Sequence, residues 1–527
     1  AGGADGAGPG AAPGVDDWGR GKRAMGQPAP PVAPAGANPP ARAGNAPAPG
    51  GAQLSPAVFA TELEAVEKGL RIQLGVPGAM TEAQLGEKQL IAARKLRHLL
   101  STNRERLIQE FLERGWVPLL LGWLGLAHRP SVQVEALWAL TNIAAGTTEH
   151  THVLIKHGAI PTLVSLLDSP SEEVLEQAMW VLGNLAGEGN TARDAVLQAG
   201  VMRPLVQCLD HHPNMLSLLR IGSWSLSNLF DGQPRPSLDI PTVVSQVMPT
   251  LKRLLGAPDA DPEVLSHACW ALSHLCDGPS SHIKVVVESG VCWRLVGLLV
   301  HHSWRVVKPA LRTIGNVVCA EDETDYTQAI MEAGAVPCLR ELITHTNREI
   351  QKEACWTLSN MAAGTVDQIQ TVLDSGAMPL LIKLATDPGT DSEVRSEAFW
   401  VVLNATSCGS DQQIEYLVLQ GCVPILSDLL TEGSMVMMAL EGIERVLHVG
   451  DLRAAQATVT DAATAAAATA SLGPTPPLHT PGHTGKQHGH SHLLPALSGL
   501  SADACEGSEA GELDGGHASC PECAGAA

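Results

Sequence analysis

Between residues 81 and 450 the apolar positions fall on helical stripes, and the stripes recur. The stretch Glu173–Gly187 shows one period. Met179, Leu182 and Leu185 lie at helical spacing and form a core stripe. Gln177, Trp180 and Asn184 form a second stripe, which small residues leave open. Residues i and i+4 of a helix share a face, one turn apart. The Trp/Asn pair returns as Trp138/Asn142, Trp224/Asn228, Trp356/Asn360 and Trp400/Asn404, and in altered form as Trp270/His274 and Arg312/Asn316. Successive first members are 42 to 46 residues apart.

A second marker accompanies the first: a Gly two to four residues before a Pro, as in Gly115/Pro118, Gly158/Pro161, Gly200/Pro204, Gly334/Pro337, Gly376/Pro379 and Gly421/Pro424. Gly290-Val291-Cys292-Trp293 is the copy that lacks the Pro. Gly just past a helix and Pro at the first turn of the next make a stop-and-start signal. Each period therefore predicts a short helix, a second apolar helix such as Pro161–Leu167, and a third helix that opens on acidic or hydroxyl residues (Ser169–Glu173, Asp259–Glu263, Thr390–Glu393). Upstream, Ser55 and Pro56 predict the N-cap and first position of a helix, and Thr81 predicts the cap of another over Glu82–Leu100. Self-similarity at this period marks an armadillo or HEAT solenoid, in which single units cannot bury their faces and stacking creates the core. The expected fold is all-α: a right-handed superhelical armadillo-repeat solenoid of eight or nine repeats over residues 81–450, preceded by a helical lead-in over 56–80. Residues 1–55, rich in Gly, Ala and Pro, and residues 451–527, rich in Ala, Thr, Gly, Pro, His and Ser, bury too little to fold and are expected to be disordered tails.

Composition sharpens this. Of 527 residues only 3% are aromatic, yet 11 are Trp, against 4 Phe and 2 Tyr, so Trp has a placed role. The net charge of -21 disfavours direct nucleic-acid binding and favours cationic partners. The 12 Cys show no framework spacing, as expected in a reducing compartment. No apolar run is long enough for a membrane span, and the N-terminal stretch lacks the apolar segment of a signal peptide. The five histidines between His479 and His492 and the single pair Cys520/Cys523 are weak metal signals, so no metal or other cofactor is expected. There is no phosphate loop, nucleophile elbow or paired-carboxylate site, so the chain is not expected to be an enzyme.

The Trp/Asn ladder carries the candidate chemistry. Asn is a poor interior helix residue, and six copies at one structural position are hard to explain by packing. A carboxamide offers two donors and an acceptor, matching the free donor and acceptor of each residue of an extended peptide. Indoles on adjacent rungs make slots for an aliphatic stem with a cationic head, worth about 0.5–2 kcal/mol each. Glu135, Glu188, Asp277, Glu321, Asp322, Glu353 and Glu397 are candidate acceptors for the ammonium.

Glu135–Thr147 (EALWALTNIAAGT), Glu176–Gly187 (EQAMWVLGNLAG), Ala310–Val318 (ALRTIGNVV) and Lys352–Asn360 (KEACWTLSN) resemble the armadillo domain of importin alpha, the family of adaptors for nuclear localisation signals. The resemblance covers residues 81–450. It implies a major peptide site on Trp138, Asn142, Gln177, Trp180, Asn184, Trp224 and Asn228, with Thr151 and Glu188 where the family holds the key lysine; the family usually has Asp at the latter position. It implies a minor site on Arg312, Asn316, Glu353, Trp356, Asn360, Glu397, Trp400 and Asn404, with Arg312 dividing the two as it does in the family. His274 stands where the family often has Tyr. It further implies cargo bearing basic signal peptides, importin beta and an export receptor as partners, and residence in cytoplasm and nucleus. The family's Arg/Lys-rich helix for importin beta has no counterpart in residues 1–80. The chain opens with Ala, which places that helix upstream of Ala1 or removes it. The last repeat used with the export receptor is not recognisable after Asp451. The alternative is an armadillo scaffold that no longer couples to importin beta.

Overall fold

The computed structural model describes residues 55–72, 80–102, 104–320, 325–431 and 435–471, and all regular structure among them is helical. Of the tails expected at 1–55 and 451–527, residues 1–54 and 472–527, with the histidines and the cysteine pair, lie outside these residues.

The lead-in helix is Pro56–Arg71, capped by Ser55, whose Oγ accepts from the Val58 amide at 3.4 Å. The next helix is Glu82–Thr102; Thr81 and Gln84 exchange hydrogen bonds of 3.0 and 3.2 Å at its start. Eight units follow. Their third helices are Pro130–Ala144, Glu172–Glu188, Leu216–Phe230, Pro262–Cys276, Trp304–Val318, Arg348–Ala362, Ser392–Cys408 and Val436–Ser471, numbered below as units one to eight. The first seven pack each against the next, the stacking that defines an armadillo solenoid. Ion pairs cross from one unit to the next along these helices: Arg220 to Asp261 at 2.9 Å, Lys352 to Glu393 at 3.2 Å and Arg348 to Asp391 at 3.3 Å. Half-exposed pairs of this kind contribute little singly; the apolar stripe, with Met179, Leu182 and Leu185 fully buried, carries the stacking.

Seven units break between their first and second helices at a left-handed glycine, from Gly115 (φ 63°) to Gly421 (φ 93°). Unit five lacks the Pro but keeps Gly290 (φ 72°), and its helices still separate. Unit four has the reverse combination, with Pro249 and no glycine before it. There the expected two short helices run together from Ile240 to Gly256 through a π-helical turn at Val243–Val247. Glycine alone reaches the left-handed backbone without a Cβ clash, so the Gly, and not the Pro, decides the break.

The boundary expected at Gly450 falls inside a helix. Val436–Ser471 continues through residues 451–471, which the sequence reading assigned to the disordered tail. The stretch contains no Gly or Pro before Gly473 and is dominated by Ala, the strongest helix former. The side chains of residues 451–458 are exposed, and Arg453 among them pairs with Glu415.

Candidate functional site

The third helices of successive units bring the Trp/Asn ladder onto one face of the stack, and the Asn side chains prove to have a structural task. Asn184 Nδ2 donates to the Thr141 carbonyl at 3.3 Å, Asn228 to Gly183 at 3.0 Å, Asn316 to Ser273 at 3.0 Å and Asn404 to Ser359 at 2.8 Å. Each bond runs from one unit to the residue preceding the ladder position of the unit before it. Asn142, on the first rung, donates to its own Trp138 carbonyl at 2.9 Å. The ladder is thus a set of clips between units as well as a row of partly accessible groups, and packing accounts for part of its recurrence. Asn184 and Asn228 remain half-buried, with the second N–H and Oδ1 of each available. Asn360 and Asn404 are buried.

The indoles divide into open and closed. Trp138, Trp180, Trp270 and Trp400 are half-buried, whereas Trp224 is 8% and Trp356 1% exposed. The residue before the Asn of the preceding unit decides which. Thr141, Ser227 and Ser359 precede units whose indole stands up. Gly183 and Gly315 precede the two that lie down: a Cβ at Gly183 would come within 2.4 Å of Trp224 Cζ3, and one at Gly315 within 2.1 Å of Trp356 Cζ3. The Gly-Asn dipeptide is visible in the sequence, but its effect falls on a residue 41 positions later, which a reading of single helices misses.

The candidate carboxylates differ in what already holds them. Glu188 is half-buried and accepts from Thr148 Oγ1 at 2.7 Å. Thr151, expected beside it, is buried and donates to the Thr147 carbonyl at 3.3 Å, so Thr148 is the hydroxyl that meets Glu188. Glu135 is buried and pairs with Arg97 at 3.3 Å; burial raises its pKa, against the pull of Arg97 and Arg94. These three residues and Gln177 line a cavity of about 280 Å³ beside the first rungs. Buried Gln177 Oε1 has no hydrogen-bond partner among the described residues. Glu353 is buried and paired with Arg312, whose guanidinium also lies 5.5 Å from the Trp356 ring centroid. Burial raises the Glu353 pKa, and Arg312, Lys308 and Lys352 oppose this. Glu397 is buried nearby. Glu321 and Asp322 lie outside the described residues.

At the centre of the groove, His274 stacks on Trp270 with ring centroids 5.7 Å apart and planes at 23°. Its Nδ1 lies 3.4 Å from Asp231 Oδ1. Asp277, one turn on, meets Arg235 at 3.4 Å. Asp231 and Arg235 sit on the connection that follows unit three. Arg193, fully buried, anchors that connection by donating to the Asp231 carbonyl at 2.6 Å and the Pro234 carbonyl at 2.8 Å. The Gln233–Pro234 peptide is cis.

This arrangement of units can be compared with known proteins. Importin subunit alpha-1b of Oryza sativa subsp. japonica is 41% identical over 382 residues, which cover 72% of this chain and 70% of that protein. The chain belongs to the importin alpha family. Importin subunit alpha-4 of Arabidopsis thaliana is 44% identical over 394 residues, 73% of this chain and 70% of that protein. The armadillo/beta-catenin-like repeat family matches residues 147–187, 237–277, 324–363 and 365–407. Among solved structures, an engineered protein of 28% identity superposes with a TM-score of 0.52, covering 72% of this chain and 98% of its own. No helix among the described residues is long and apolar enough to cross a membrane.

Proposed function

We propose that the chain is a nuclear-import adaptor: its groove binds lysine- and arginine-rich nuclear localisation signals, and the chain links that cargo to importin beta. The observation that carries the reading is the state of rungs one to three. Trp138 and Trp180 stand half-open, Asn184 and Asn228 keep a donor and an acceptor beyond their clips, and Gln177 offers a buried unpartnered oxygen. Among the described residues Glu188 is held by one hydroxyl and no cation, so it can take a lysine ammonium where Trp138 and Trp180 would wall the stem. The major site is Trp138, Asn142, Gln177, Trp180, Asn184, Glu188, Trp224 and Asn228, with Thr148 and Thr151 behind the acid. The minor site is Arg312, Asn316, Glu353, Trp356, Asn360, Glu397, Trp400 and Asn404.

The test is a titration with a fluorescent peptide bearing a single Lys/Arg cluster. Trp180→Ala and Asn184→Ala should each weaken it by about 10-fold or more; unchanged affinity in both would falsify the adaptor reading. Pull-down with importin beta separates the adaptor from a scaffold that keeps the groove but not the transport partner, and pull-down with the export receptor extends this to recycling. A fluorescent fusion that accumulates in both cytoplasm and nucleus is the expected cellular result.

A further inference from the structure

The altered rung Trp270/His274 lies between the two peptide sites and has no part in either. Its surroundings are built like a cation slot. Trp270 is one of the four open indoles, because Ser227 and not Gly precedes it in the stack. The i+4 position holds an imidazole lying along the indole, which lengthens the flat wall. Two carboxylates flank this wall, Asp231 from the connection after unit three and Asp277 from the end of the unit-four helix. A cation from the chain itself, Arg235, already rests on Asp277 at 3.4 Å, and its side chain is half exposed. Among the described residues the Asp231 carboxylate meets the His274 ring, and its side chain is 33% exposed. Burial holds the His274 pKa below its ordinary value, with Arg312 adding to the shift and Asp231 and Asp277 opposing it.

We propose that Trp270, Asp231 and Asp277 form a third cation slot in the groove, which takes a lysine or arginine lying between two basic clusters, with Arg235 as its resident competitor. The inference rests on the adaptor reading and adds a subsite to it. Stacked helices lie roughly 8–10 Å apart, and an extended chain advances about 3.4 Å per residue. The slot is therefore about three residues from the peptide side chain at the Trp224 rung. A loop-borne arginine paired at 3.4 Å with a part-exposed carboxylate is displaceable at low cost, since ion pairs of this kind are weak.

The experiment uses the full chain and fluorescent peptides with one Lys/Arg cluster and a single Lys, Ala or Glu about three residues beyond it, on the N-terminal side in one series and the C-terminal side in the other. In one series the Lys peptide should bind about 3- to 10-fold more tightly than the Ala peptide, and the Glu peptide more weakly. Asp231→Asn should erase the Lys/Ala difference and leave the Ala peptide unchanged. Arg235→Ala should widen the difference. Thermal melts confirm that both variants fold; the Asp231 carbonyl that holds Arg193 is main chain and survives either change. Equal binding of Lys and Ala peptides in both series, by wild type and by Arg235→Ala, overturns the slot. If that result comes with a Trp180→Ala loss, the adaptor reading stands and only the slot fails. If no peptide binds at all, both fail.

Discussion

The two halves of the groove use one motif and leave it in different states. In units one to three the indoles Trp138 and Trp180 are open, and Glu188 is held by a threonine hydroxyl. In units five to seven Trp356 is closed, and Arg312 occupies the position over its ring while pairing with Glu353. In the first half Glu188 pairs with a hydroxyl; in the second Glu353 pairs with a cation of the chain itself. The difference traces to Arg in place of Trp at 312, since each half has one closed indole, Trp224 behind Gly183 and Trp356 behind Gly315. A cationic ligand reaching the second half would have to share Glu353 with Arg312, whereas Glu188 would be shared only with the Thr148 hydroxyl. The first half is therefore expected to bind a single basic cluster more tightly.

The sharpest way to break this contrast is to remove the internal cation. Arg312→Ala leaves the buried Glu353 carboxylate without its partner, and deletion of one member of a buried pair costs about 3–5 kcal/mol. The expected outcome is a clear fall in melting temperature. Arg312→Met with Glu353→Leu, which removes both charges and keeps the volume, should recover most of that loss. A single variant as stable as wild type would show that the pair does not hold the second half closed.

The centre of the groove should be its acid-sensitive part. Burial pushes the pKa of His267 down to about 4, and that of His274 is also lowered by burial. Above pH ~6.5 both rings are neutral folded or unfolded, and neither affects stability. As pH falls below that value the unfolded chain takes up protons that the folded rings refuse, so stability drops until the pH reaches the folded pKa. For His267 the loss extends to about pH 4 and is worth up to about 3 kcal/mol. Denaturant unfolding at pH 7.5 and 5 should show it, and His267→Gln should shrink the difference. A pH-independent midpoint in the wild type would rule it out.

Gly183 and Gly315 set which indoles are closed, and each can be altered by one methyl group. Gly183→Ala drives a Cβ into the Trp224 ring and the Ser225 hydroxyl, and overpacking of this kind costs about 1–3 kcal/mol. The strain is relieved if Trp224 lifts into the groove, so the variant should gain quenchable tryptophan fluorescence as it loses stability. Unchanged quenching with lower stability would mean that the backbone yields and the indole does not.

The period, the three-helix unit and the glycine breaks were legible because each is a local signal repeated many times over. What escaped was whatever couples one unit to another. The clip from Asn228 to Gly183 and the bed that Gly315 makes for Trp356 join residues 41 to 45 positions apart. Arg97, Arg193 and Arg235 find their partners across such intervals too. The fused helices of unit four were missed for another reason: a missing glycine is a weaker cue than a present proline. Which of the ladder residues stand open was not readable from any one helix.

The Asn ladder tests that lesson at the smallest scale, because Asn184 and Asn228 bond across the stack and still stand half-buried on the ladder face. Asn228→Ala removes the bond to Gly183 and should cost about 1 kcal/mol of stability. Asn228→Asp keeps an acceptor for a peptide but removes the donor, setting a carboxylate against the Gly183 carbonyl. It should destabilise at least as much as Ala, by about 1–3 kcal/mol. Measuring melting temperature and peptide affinity on both variants separates the two tasks. If the clip matters, both variants lose stability; if the groove role matters, affinity falls further than the loss of folded protein explains. Should both variants melt with the wild type, the clip contributes nothing, and the recurrence of Asn at this position returns to the peptide alone.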